Sequence, residues 1–164
     1  MKNDWLSIEV IDGENVLVRC SKEAVGEIII PDNVTSICKY AFYSCLYVTS
    51  IKIPDSVTSI GNLAFFRCIS LTSITIPNSI TKIANGIFYG CKGLTSVTIP
   101  NSVMSIGKGA FWGCRSLTAI TIKDSVKLID DRAFEGCRQL TITLPPNIEI
   151  GNDAFKGCKQ VIQK

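Results

Sequence analysis

One spacing constrains this chain more than anything else in it. Phenylalanine recurs at Phe42, Phe65, Phe88, Phe111 and Phe134, each 23 residues after the last, and returns at Phe155 after 21. Cysteine keeps the same step at Cys45, Cys68, Cys91, Cys114, Cys137 and Cys158, and isoleucine at Ile37, Ile60, Ile83, Ile106, Ile129 and Ile150. Proline marks Pro31, Pro54, Pro77 and Pro100, Lys123 takes the slot once, and Pro145 resumes it. Counted from Val25, five units of 23 residues and one of 21 end at Gln160. Self-similarity at such a period is the signature of a repeat architecture.

Each unit reads as two short extended pieces and a tight turn. Leu94-Thr95-Ser96-Val97-Thr98-Ile99 ends in apolar–polar alternation and predicts a strand with Val97 and Ile99 on one side, Ser96 and Thr98 on the other. Pro100-Asn101 ends it, because proline removes a ladder donor and Asn bonds its own backbone in turns. Val103 to Ile106 is a second extended piece, and Ala110-Phe111 to Cys114 is expected to form one helical or 3₁₀ turn. A single unit cannot bury its apolar side alone. Stacking does it, placing Ile99, Val103, Ile106, Ala110, Phe111 and Cys114 over their counterparts in the next coil. The fold expected is an α/β repeat solenoid of short parallel strands, with coils about 4.8 Å apart.

These residues carry a resemblance. The pattern I-P-x-S-V-T-S-I-G-x-x-A-F-x-G-C-x-x-L-T-x-I, clearest from Ile76-Pro77 to Leu94 and from Ile99-Pro100 to Leu117, resembles the BspA-like (treponemal-type) leucine-rich repeat family. The likeness spans Val25 to Gln160. Lys123 in place of proline, Ile87 in place of alanine and the short last repeat depart from the pattern. It implies a bacterial, surface-displayed or secreted protein whose repeats bind or adhere, with host matrix proteins or neighbouring cells as partners.

The domain plan is a cap over residues 1–24, six repeats (25–47, 48–70, 71–93, 94–116, 117–139, 140–160), and the start of a seventh at 161–164. In the cap, two alternating runs flank Asp12-Gly13-Glu14-Asn15, as in a β-hairpin covering the first coil. Val161-Ile162-Gln163-Lys164 aligns with Leu140-Thr141-Ile142-Thr143. An uncovered strand edge there is expected either to continue into a longer array or to pair with another chain. Met1-Lys2-Asn3-Asp4 is not followed by the apolar stretch of a signal peptide, so localisation rests on the resemblance.

Composition narrows the chemistry. The 164 residues contain no histidine, which removes the commonest general base and most zinc and haem sites. Lys and Arg number 17 against 14 Asp and Glu, and a net charge of +3 is small for nucleic-acid binding. No apolar run is long enough for a membrane span. Neither a phosphate-binding glycine loop nor a nucleophile elbow occurs, and Asp55, Asp124, Asp130 and Asp131 sit at turn positions. No enzyme, cofactor or metal site is expected. Six of the eight cysteines share one phase and predict a reduced, buried ladder, while Cys20 and Cys38 lie off it as the one pair to consider for a bridge or a reactive thiol.

A binding site should lie in columns that the core does not need, and three stand out. The outward strand face carries Ser50 and Lys52, Ser73 and Thr75, Ser96 and Thr98, and Ala119 and Thr121. It reads either as an adaptable surface or simply as good strand formers; a water-ordering array is broken by Lys52 and Ala119. The residue after each core phenylalanine is Tyr43, Phe66, Tyr89 and Trp112, then Glu135 and Lys156. This stripe is either an exposed contact patch or half-covered by the neighbouring turn. After the ladder cysteines come Leu46 and Ile69, then Lys92, Arg115, Arg138 and Lys159. A helical turn would pair Glu135 with Arg138 and set Arg115 over Trp112 and Lys92 over Tyr89. That column suits an acidic or sialylated partner, or is a solvated face. The expected function is a non-catalytic protein- or glycan-binding module, the alternative a spacer or scaffold segment with no ligand of its own.

Overall fold

The computed structural model describes residues 5–163; the Met1–Asp4 segment, and Lys164 of the expected seventh repeat, lie outside the described residues. Strands β1 (Leu6–Ile11) and β2 (Glu14–Cys20) form an antiparallel hairpin closed at Asp12-Gly13, both in the left-handed region. Each coil then contributes a strand to two faces. The first face carries β3 (Val25–Ile29), β5 (Tyr47–Lys52), β7 (Ser73–Thr75), β9 (Ser96–Thr98), β11 (Ala119–Thr121), β13 (Thr141–Leu144) and β15 (Gln160–Gln163). These seven form one parallel sheet in chain order. The second face carries the two-residue strands β4 (Ser36–Ile37), β6 (Ser59–Ile60), β8 (Lys82–Ile83), β10 (Ser105–Ile106), β12 (Leu128–Ile129) and β14 (Glu149–Ile150). They form two four-stranded sheets, β1-β2-β4-β6 and β8-β10-β12-β14. The hairpin therefore extends the second face: β2 pairs in parallel with β4, Leu17 opposite Ile37.

The third face corrects one expectation. No helix occurs among the described residues; the segment through Ala-Phe-x-x-Cys is a run of β-turns. In the coil at residues 38–45 the backbone amides alternate. Ala41, Tyr43 and Cys45 donate to carbonyls three residues back, while Tyr40, Phe42 and Ser44 donate to Asn62, Ala64 and Phe66 of the next coil. Two positions per coil, Tyr40 and Ser44 here, Gly109 and Gly113 three coils on, have φ between 54° and 77°. A left-handed residue every fourth position breaks a helix, but it turns alternate amides toward the neighbouring coil. That exchange bonds the coils on a face where no strand exists.

The core is a set of ladders between these faces. Phe42, Phe65, Phe88, Phe111 and Phe134 are fully buried, and with Phe155 their rings follow one another at 5.0–5.5 Å between centroids. Burying each ring contributes about 1.5–3 kcal/mol, and ring stacking adds to it. No polar or charged residue is buried among the described residues. All eight cysteines are free. Cys20 is not off the ladder, as its sequence position implies: it is buried, the Cys45 thiol donates to its carbonyl oxygen at 3.9 Å, and the neighbouring Cys45 thiol raises the Cys20 pKa. The hairpin's end thus supplies an extra rung. Cys38 is partly buried against the core.

The last coil also corrects the sequence alignment. Val161 pairs with Ile142 and Ile162 with Thr143, two residues away from the alignment that sets Val161 against Leu140. The link from Cys158 is too short to place a Leu140 counterpart, so the chain enters β15 directly and four residues pair.

Candidate functional site

The structure places the three candidate columns very differently. On the strand face, Lys52, Ser73, Thr75, Ser96, Thr98 and Thr121 are exposed, with Ala119, and Ser50 is half-buried. The neighbouring threonines, which the sequence reading did not single out, are engaged in structure. The hydroxyls of Thr72, Thr95 and Thr118 donate at 3.0–3.4 Å to the carbonyls of Thr49, Thr72 and Thr95 one coil back. This face is nearly uncharged and flat.

The turn face is different. Tyr43 stacks on Phe66 at 5.5 Å, Phe66 on Tyr89 at 4.9 Å, and Trp112 meets Tyr89 edge-on at 4.5 Å. Tyr43 is 40% exposed, and the other three are half-buried, so the stripe is both a contact surface and part of the turn packing. Its outward side is available because the phenylalanine one residue earlier takes the core position. At the hairpin end Lys22 Nζ lies 5.4 Å from the Tyr43 ring centroid and Lys39 Nζ 5.0 Å from that of Tyr40.

The basic column Lys92, Arg115, Arg138 and Lys159 is exposed throughout. Its expected partners are wrong. Glu135 pairs with Arg132 at 3.6 Å, not with Arg138, and no cation–π contact joins Trp112 to Arg115 or Tyr89 to Lys92 among the described residues. The β-turns explain both. Arg132 and Glu135 close one turn, with the Glu135 amide on the Arg132 carbonyl, so their side chains meet. Glu135 and Arg138 straddle Gly136, at φ 77°, which swings the chain between them. Gly113 at φ 70° separates Trp112 from Arg115 in the same way.

The two columns nevertheless share a groove. Phe66, Tyr89 and Trp112 line it together with Lys92, Arg115, Arg67, Gly90 and Gly113, around about 430 Å³ of open volume. A larger hollow of about 920 Å³ adjoins it at the hairpin end, lined by Arg19, Lys22, Lys39, Tyr40, Tyr43 and Phe66. The sequence reading missed Arg67, Lys39 and Lys22. Arg67 occupies the slot that holds glycine in later repeats, which is the signal that marks it. Among the described residues no three Cys, Asp or Glu side chains converge as a metal site requires. The surface offers ring edges, hydrogen-bond donors and positive charge, which is equipment for binding.

Six copies of the BspA type leucine-rich repeat region match residues 19–141. The chain belongs to the BspA-type leucine-rich repeat family. Its repeats are similar in structure to those of bacterial leucine-rich repeat proteins. A leucine-rich cell surface protein of Faecalibacterium prausnitzii A2-165 is 36% identical over 90% of this chain, with a TM-score of 0.82. The leucine-rich repeat protein of T. pallidum is 26% identical over 96% of the chain and superimposes with a TM-score of 0.79; 88% of its own length is covered. A leucine-rich repeat protein of Bacteroides ovatus is 28% identical over 96%, at a TM-score of 0.76, with 51% of its length covered. The chain spans only 38% of the Faecalibacterium protein. No curated protein matches it.

Proposed function

We propose that this BspA-type domain is a non-catalytic binding module of a bacterial surface protein, and that it holds its protein or glycan ligand against the turn face. The observation that carries this reading is the single groove in which Phe66, Tyr89 and Trp112 face Lys92 and Arg115. The buried core accounts for the inward residues, and turn packing alone does not call for exposed cations beside a half-buried aromatic run. Aromatic and arginine side chains are the types that dominate binding energy at interfaces. Surface display follows the Faecalibacterium relative, which is described as a cell surface protein.

The test is binding of the purified chain to immobilised fibronectin, fibrinogen, collagen and acidic glycans at low and physiological salt. The expected result is saturable binding that weakens with salt and weakens further in Trp112→Ala or Arg115→Ala. Binding insensitive to both changes would move the site to Ser73, Thr75, Ser96 and Thr98 on the strand face. A folded sample that binds nothing would assign the chain to a spacer segment.

A further inference from the structure

We infer that the groove lined by the aromatic stripe with Lys92 and Arg115, and continued one coil on by Arg138, binds a linear polyanionic glycan lying along the solenoid axis, one acidic group to each coil. This rests on the turn-face reading above and names its ligand.

The first ground is where the carboxylates on this face have gone. Asp131 pairs with Lys108 at 3.5 Å, Glu135 with Arg132 at 3.6 Å, and Asp153 with Lys156 at 3.5 Å. Among the described residues these are the only ion pairs. Lys92, Arg115, Arg138 and Lys159 are left exposed with no carboxylate on them. Lys92, Arg115 and Arg138, one coil apart, repel one another, so an extended anion relieves the column as it binds.

The second ground is pitch. Coils repeat at about 4.8 Å, so Lys92, Arg115 and Arg138 span about 10 Å. Lys159 stands beside Leu140, two residues further along the coil. An extended peptide presents same-side carboxylates only every second residue, about 6.8 Å apart, and falls out of step within two coils. A glycan with an acidic group on each ring is not held to that strand spacing.

The third ground is the aromatic wall. Tyr43, Phe66 and Tyr89 stack on one another, which covers ring faces within the stack and leaves ring edges, the electropositive part of an aromatic ring, for contact. Trp112 ends the run turned 69° from Tyr89, and the next position in its column is Glu135, not a further ring. Half-buried and lining the groove, the indole supplies an apolar surface against which a sugar ring can pack.

The test is calorimetric titration of the full chain with heparin oligosaccharides of defined length, with dextran as the neutral glycan and poly-L-glutamate as the acidic peptide. Heparin is expected to bind saturably and dextran not at all. Affinity should rise with oligosaccharide length until the column of about 10 Å is filled, about two intervals of strand spacing, and then level off. Arg115→Ala and Arg138→Ala should each weaken binding about fivefold and lower the salt slope by roughly one. The double variant Arg115→Glu/Arg138→Glu should weaken it at least about twentyfold, with an unchanged circular dichroism spectrum because both side chains are exposed. Lys52→Ala on the strand face should change nothing. Dextran binding as tightly as heparin, or full affinity in the double variant, would overturn the inference. Poly-L-glutamate displacing heparin at equal charge would overturn it too, and assign the groove to acidic polypeptides. Binding to a matrix protein without binding to heparin removes this inference alone; loss of both removes the turn-face reading with it.

Discussion

The Sγ of Cys91 lies 3.0 Å from the carbonyl oxygen of Phe65, one coil back. The same bond recurs at 3.1–3.2 Å from Cys68 to Phe42, Cys114 to Phe88, Cys137 to Phe111 and Cys158 to Phe134. That carbonyl already accepts the amide of its own coil's cysteine, as Phe65 does from Cys68 at 3.2 Å. One acceptor therefore closes a β-turn and ties two coils together. A thiol suits the place because it is small and apolar yet can still donate.

Stability should fall in alkali for this reason. Burial pushes the thiols of Cys91 and Cys114 up, and that of Cys158 to about 11. In the unfolded chain these thiols ionise near their ordinary value of about 8.5. Their folded pKa values are raised, so the stabilisation is complete below that value and is lost as pH climbs toward the folded ones. The urea midpoint should drop between pH 8 and 10.5, and Cys114→Ala should flatten the drop while costing about 1–2 kcal/mol at pH 7. A midpoint that holds steady or rises across this range would refute the argument.

Two glycines should separate crowding from backbone conformation. A Cβ at Gly61 would overlap the backbone of Lys39 in the preceding coil. At Gly113 the nearest atom is the Gly90 Cα at 4.0 Å, but φ is +70°. Gly61→Ala should cost about 2–3 kcal/mol through overpacking. Gly113→Ala should cost only about 1 kcal/mol through left-handed strain. Ser44 and Arg67 already hold the Gly113 position in earlier coils, at φ 55° and 58°. Chemical denaturation ranks the two variants, and the reverse order would mean that the coils do not approach closely at Gly61.

The core was legible in the sequence because every inward column repeats one residue type. Phe, Cys, Ile and Pro announce period, stacking and inward faces together. The turn face was legible as composition but not as conformation. Glycine at 90, 113, 136 and 157 marks a left-handed position, yet Ser44 and Arg67 occupy it in earlier coils and hide the rule. Without it the segment reads as helical, and ion-pair partners drawn three residues apart start from the wrong member of the turn. The extra cysteine rung was hidden for another reason. Cys20 reaches the ladder from the hairpin, where no repeat spacing applies.

Asp131 offers a test of side-chain-to-backbone capping between coils. Its Oδ1 accepts the Asn152 amide at 2.8 Å, as Asn85 Oδ1 accepts the Lys108 amide at 3.0 Å and Asn62 Oδ1 that of Asn85 at 3.1 Å. The Asn152 amide, and after it Lys108, hold the Asp131 carboxyl below the usual carboxylate range. A lowered folded pKa means that its contribution is present above the ordinary value and lost as pH falls through the lowered one. Asp131→Asn keeps the acceptor but loses the charge, so its melting temperature at pH 7 should fall between those of wild type and Asp131→Ala. The gap between wild type and Asp131→Ala should narrow in strong acid. Thermal melts at pH 7 and pH 2 check both statements, and a gap that persists unchanged at pH 2 would exclude a role for the charge.

Phe88 and Tyr89 are chain neighbours with opposite duties. Phe88 is fully buried between Phe65 and Phe111 at 5.4 and 5.3 Å, so Phe88→Ala should cost about 3–5 kcal/mol. Tyr89 is half-buried between Phe66 and Trp112, and Tyr89→Ala should cost only about 1–2 kcal/mol. It should also shift the Trp112 emission to the red, since the ring at 4.5 Å is replaced by water. Most tellingly, Tyr89→Ala should weaken heparin binding in a chain that remains folded, because it removes the middle of the aromatic wall. Equal destabilisation by the two variants would make the outer stripe a second core, and the turn face would lose its claim to be a binding surface.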